Sequence, residues 1–152
     1  MRALLLLLAL GCATGAAQYG SVTFKSFSNL AARPVSYSVG KGHVVGTDLD
    51  LRDDNGCVRG NWGRIPLDFC RDDKGTSAEQ HWSGSSGQFT VQPLGDKLAV
   101  RGELILDTRR IVSMDQELAI GKGTQWDELR QHPALLAVAA TAADLQAAGL
   151  RR

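Results

Sequence analysis

Between Tyr19 and about Gly121, apolar residues recur at every second position, the period of a strand with one face buried. Val22 and Phe24 alternate with Thr23 and Lys25, and after Pro34 the residues Val35, Tyr37 and Val39 alternate with Ser36 and Ser38. Val45, Thr47, Leu49 and Leu51 continue the pattern, as do Ile65, Leu67 and Phe69. Phe89 and Val91 lead into a turn through Leu94-Gly95-Asp96-Lys97, after which Leu98, Val100, Gly102, Leu104 and Leu106 share one face. Val112, Met114, Leu118 and Ile120 have one parity and predict a last strand. Gly, Asn, Asp and Pro separate these runs, so the chain reads as mainly β: an antiparallel sandwich or small barrel of about seven strands. Pro66 lacks an N–H and places its strand at an edge or a bulge.

Past Gly123 the period becomes helical. Thr124 is a candidate cap for a turn containing Trp126, Asp127, Glu128 and Leu129, and Pro133 fits the first position of a second helix running to about Ala148, with Gly149 as its stop. Leu135, Val138, Ala142 and Leu145 form a stripe, with Thr141 and Asp144 on other faces. The expectation is a β domain over residues 19–122 with a helical segment over 124–150 packed on it; the tract is too short to cross a bilayer and carries Asp144.

The N-terminus has a different logic. Met1-Arg2 precedes an apolar run from Ala3 to Leu10, followed by small residues to Ala17, the order of a secretory signal peptide over residues 1–17. An apolar run of this length falls far short of the roughly twenty residues of a permanent span. Two cuts are open. Leu8-Ala9-Leu10-Gly11-Cys12 resembles the lipobox of bacterial lipoproteins, with Ala9 and Leu10 standing where that pattern has Leu and a small residue. The resemblance covers about a dozen residues and implies a diacylglyceryl group on Cys12, palmitate-like acyl chains and a membrane anchor. Ala13, in the place where Asp would stand, resembles lipoproteins sent to an outer membrane. The alternative is cleavage after Ala17, giving a soluble periplasmic or secreted protein that begins at Gln18.

Export changes the meaning of the three cysteines. With Cys12 removed or lipidated, Cys57 and Cys70 are left as a pair for a disulfide in an oxidising compartment. If they lie opposite each other in an antiparallel pair, Val58 faces Phe69 and Arg59 faces Asp68, with Asn61-Trp62-Gly63-Arg64 near one turn and Asp53-Asp54-Asn55-Gly56 forming the preceding one. The 152 residues are 43% apolar and 22% charged, enough for one core, and the net charge of +1 provides no cationic field for nucleic acid.

Signals for chemistry are sparse. His43, His81 and His132 lie in three segments without the spacing that puts two imidazoles on one ion. Asp48, Asp50, Asp53 and Asp54 offer oxygens, but Arg52 interrupts the order a calcium loop needs. In His81-Trp82-Ser83-Gly84-Ser85-Ser86-Gly87, the Gly84 to Gly87 stretch is one residue short of a nucleophile elbow and reads as a Gly/Ser turn. Trp62 and Trp82 beside glycines, together with His81, are candidate ligand contacts, with the indoles able to stack on sugar rings. The reading that results is a noncatalytic exported envelope lipoprotein, acting as a binding or scaffolding component with an envelope protein or glycan partner and without cofactor or metal. Two alternatives accompany it: an exported hydrolase using His81 to Ser86, and a carrier holding a small apolar ligand inside a barrel.

Overall fold

The computed structural model describes residues 19–149. The chain is mainly β and antiparallel, with a C-terminal helix, and it forms one open sheet. The strands are β1 (Gly20–Phe24), β2 (Val35–Gly40), β3 (His43–Gly46), β4 (Leu49–Asp54), β5 (Cys57–Trp62), β6 (Ile65–Arg71), β7 (Gln80–Gly84), β8 (Gly87–Leu94), β9 (Lys97–Asp107), β10 (Arg110–Ser113) and β11 (Gln116–Ala119), followed by α1 (Thr124–Arg130) and α2 (Pro133–Ala147). Strands β1 to β10 stand side by side in chain order, and β11 returns to pair with the first half of β9.

Two-residue turns make this meander. Lys41-Gly42 and Asn55-Gly56 both have positive φ at both positions, the backbone that matches the twist of a tight hairpin. The hairpin β5–β6 has the register anticipated from its cysteines: Cys57 opposite Cys70 and disulfide-bonded to it, Val58 opposite Phe69, Arg59 opposite Asp68.

The expectation of a sandwich or barrel with about seven strands differs from this single sheet of more numerous, shorter strands. The run Val45 to Leu51 is two strands, because Asp48 takes φ 63° and turns the chain between β3 and β4; Val44, not Val45, faces the core. The run Val112 to Ile120 is likewise two strands, β10 and β11, broken at Met114-Asp115, where Gly102 N–H donates to the Asp115 side chain. Gln80–Gly84 form β7, and the Gly/Ser turn read at Gly84 to Gly87 joins it to β8, with Gly84 opposite Gly87. Pro66 stands in an interior strand, yet β7 pairs only with Cys70 and Arg71 of β6. The missing N–H of Pro66 therefore falls on a stretch that β7 does not cover.

The helix α2 decides the shape. Every residue from Ala134 to Asp144 is buried, including Thr141 and Asp144, so the helix has no solvated face. A flat sheet can cover only one side of a helix; here α2 packs against strands from β1 to β9, so the sheet wraps round it. Small side chains make this possible: Ala134, Ala137, Ala139, Ala140, Ala142 and Ala143 let the strands approach closely, while Leu135 and Val138 join one apolar core with Tyr37, Leu51, Phe89 and Val100. Gly60 and Gly102 have φ of 154° and 146°, and a Cβ on either would run into the backbone of a neighbouring strand.

Candidate functional site: the unclosed seam

A sheet wrapped round a helix becomes a barrel only if its edges meet, and these do not. β1 is paired with β2 alone, and β11 with β9 alone. Between the two edges runs a cleft of about 530 Å³, within the usual size of a ligand site. One wall is Thr23 to Phe27, the other Glu117 to Gly121, and the floor is Trp126, Leu136 and Ala140.

After β11 the chain crosses towards β1, where the Gly121 backbone lies against the Trp126 indole and the Gly20 backbone against the Gln125 side chain. At Gly121 a Cβ would run into the Trp126 ring, whereas at Gly20 it would meet only the end of the flexible Gln125 side chain. Trp126 packs edge-on against Phe24 with centroids 5.5 Å apart, so α1 straps one part of the seam and leaves the rest open. Parity sets the walls: Val22, Phe24 and Ser26 turn inward while Thr23 and Lys25 are exposed, and Leu118 turns inward while Glu117 and Ala119 are exposed.

The rim is held by a buried carboxylate. Asp144 Oδ1 accepts from the Ser26 hydroxyl at 2.6 Å, from Phe27 N–H at 2.9 Å and from Ser28 N–H at 3.1 Å, and Oδ2 accepts from the Ser28 hydroxyl at 2.7 Å. Burial alone raises its pKa, but the hydrogen bonds from Ser26, Ser28 and Phe27 outweigh it and hold the carboxyl below the usual carboxylate range. The loop after β1 is thereby clamped to α2, and it presents Phe27 and Leu30 to solvent at the cleft, Leu30 at 91% exposure.

The histidines are each matched with a carboxylate in a separate place. His43 Nε2 lies 2.7 Å from Asp50 Oδ1, and its Nδ1 lies 2.9 Å from the Tyr19 hydroxyl. His132 Nδ1 lies 2.8 Å from Asp53 Oδ2 and Nε2 lies 3.5 Å from Glu128, whose carboxylate also accepts from Gly42 N–H at 2.7 Å. This second cluster ties the β2–β3 turn, β4 and the α1–α2 corner together. Asp48 sits in the β3–β4 turn and does not share a strand face with Asp50. Among the described residues, no group of three or more His, Cys, Asp and Glu side chains is arranged to hold a metal ion.

In the His81 to Ser86 segment the polar groups converge on Asp72. His81 Nδ1 is 2.6 Å from Asp72 Oδ2, and the Ser83 hydroxyl donates to the same oxygen at 2.8 Å. Burial raises the Asp72 pKa, and the bonds from Lys74 N–H, Ser83 and His81 more than reverse this, so it lies below the usual range. Ser83 thus bonds the acid rather than the imidazole. Ser86 is buried, donating to Pro66 O at 3.2 Å and accepting from Asp68 N–H at 2.9 Å, which makes it a stitch between β6 and the β7–β8 turn. Neither serine hydroxyl is therefore bonded to an imidazole: Ser83 donates to the Asp72 carboxylate and Ser86 to the Pro66 carbonyl.

The tryptophans correct another expectation. Trp62 and Trp82 are 1% and 3% exposed, both inside the core, so neither offers a ring face to a sugar. Their inward parity on β5 and β7, opposite Ile65 and Phe89, is the reason. The part-exposed indole is Trp126, which sequence reading placed only in a first helical turn. The space a barrel carrier would leave open is filled by α2. Cys12 lies outside the described residues, and among those described no helix is long and apolar enough to cross a membrane. No family model, curated protein or solved structure matches this chain.

Proposed function

We propose that the protein is an exported, noncatalytic binding component of a bacterial cell envelope, tethered through lipidated Cys12, and that the seam between β1 and β11 is the surface it binds with. The observation that carries this is the cleft itself: a sheet wrapped round α2 leaves an apolar slot open between β1 and β11, rimmed by exposed Phe27 and Leu30. The signal-like residues 1–17, the lipobox-like Cys12 and the disulfide between Cys57 and Cys70 support export.

Two experiments in native cells test the two halves. A photo-cross-linking residue at exposed Ala119, on the seam wall, should give adducts that the same residue at exposed Gln88, on β8, does not; equal adducts at both, or none at either, contradict the seam as binding surface. Labelled fatty acid should enter the wild-type chain and not Cys12→Ala. An unlabelled wild type, or undiminished label in Cys12→Ala, contradicts the anchor.

A further inference from the structure

Resting on the reading of the seam as the binding surface, we infer that its occupant is an extended peptide segment of a partner protein, entering between β1 and β11 as an added strand with apolar residues inward and acidic residues outward. The walls argue for a peptide. One wall is the free edge of β11, and the other is the end of β1 at Thr23 and Phe24 with the chain that continues it through Lys25 and Ser26, so both sides carry backbone groups without a strand partner, while Phe27 N–H is already taken by Asp144. An acyl chain lying there would strip water from these groups and replace none of their hydrogen bonds. An extended backbone matches them on both sides, which is strand addition in its double-edged form.

Parity then fixes the side chains. Alternate residues of the inserted strand would meet Phe24, Leu118, Trp126, Leu136 and Ala140, an apolar floor, and the residues between them would emerge beside Thr23, Lys25, Glu117 and Ala119. The charge at the mouth is unbalanced. Glu117 has Lys97 at 3.7 Å, whereas exposed Lys25 has no ion-pair partner among the described residues, so the outward positions favour acids.

The probe is a blocked seven-residue peptide of alternating Val and Glu, titrated by calorimetry against the full chain at low salt. Three comparators accompany it: the same peptide N-methylated at alternate residues, a Val/Lys counterpart, and palmitate. Strand addition predicts saturable binding of the Val/Glu peptide, at least tenfold weakening on N-methylation, and weaker binding of Val/Lys. In Lys25→Glu the Val/Glu affinity should fall by about threefold or more and the preference over Val/Lys should narrow or reverse. Absence of peptide binding, or indifference to N-methylation, overturns the inference. So does pairing of two copies through the seam, seen as a dimer in sedimentation that Lys25→Glu abolishes. Palmitate bound in the seam with no peptide binding overturns the strand but keeps the seam as the binding surface; failure of every probe together with no cross-link at Ala119 overturns both.

Discussion

Asp144 near the end of α2 accepts a 2.6 Å hydrogen bond from Ser26, 118 positions earlier in the chain, and so fastens the central helix to the loop that borders the seam. The bond is buried at both ends, with Ser26 4% and Asp144 6% exposed. Removing the acceptor strands two hydroxyls and two backbone N–H groups. Asp144→Ala should therefore cost about 3 kcal/mol in urea unfolding, and Asp144→Asn, which keeps an acceptor oxygen, less than half of that.

The same carboxylate gives the protein an acid-sensitive element. Its folded pKa lies below the unfolded value, so its contribution is fully present above the ordinary carboxylate range and disappears as pH falls through the lowered folded value. Urea midpoints of wild type and Asp144→Asn, measured from neutral pH downwards, should differ most near neutrality and converge in acid. A gap that widens in acid contradicts this sign.

Much of the sheet is legible in the chain because local chemistry fixes it. Asn55-Gly56 can hardly be anything but a tight turn, and once Cys57 and Cys70 are paired the register of Val58 with Phe69 follows. The split of Val45 to Leu51 into two strands is hidden because Asp48, not a glycine, takes the positive φ. The wrapped architecture is hidden for another reason: Thr141 and Asp144 mark a helix as having a polar face, yet both are buried, Thr141 by donating to the Ala137 carbonyl of its own helix and accepting from Gln116, Asp144 by accepting from Ser26 and Ser28. The seam is a property of where two strands 92 or more residues apart come to rest, Phe24 ending β1 and Gln116 beginning β11, and no local pattern encodes a gap.

The bridge between Cys57 and Cys70 closes a short loop across a hairpin already aligned by Val58 and Phe69. In the chain-entropy account a loop of this size contributes about 3 kcal/mol. The Cys57→Ser/Cys70→Ser double variant should lose roughly that amount in urea while keeping the wild-type far-ultraviolet circular dichroism; loss of the β signal would show that the bridge, not the hairpin packing, specifies the register.

Gly60 and Gly102 test whether neighbouring strands must approach as closely as they do. At Gly60 a Cβ would meet the Asp50 carbonyl, and at Gly102 the Gln88 carbonyl and Phe89. Alanine at either should destabilise by more than the roughly 1 kcal/mol by which an unstrained Gly→Ala exchange stabilises, and Gly56→Ala, which meets nothing within 4 Å, should cost only the strain of its positive φ. Equal, small losses at all three sites in urea unfolding contradict the close approach.

The central claim is that both free edges of the sheet are joined by one occupant. Hydrogen exchange of the amides along Gly20–Phe24 and Gln116–Ala119, followed in the full chain with and without the Val/Glu peptide, addresses it directly. The seam-facing amides of both strands should exchange rapidly in the free chain. At a hundredfold excess of peptide over its Kd they should slow together, by up to about a hundredfold. Protection confined to one edge, or to neither, would contradict the account.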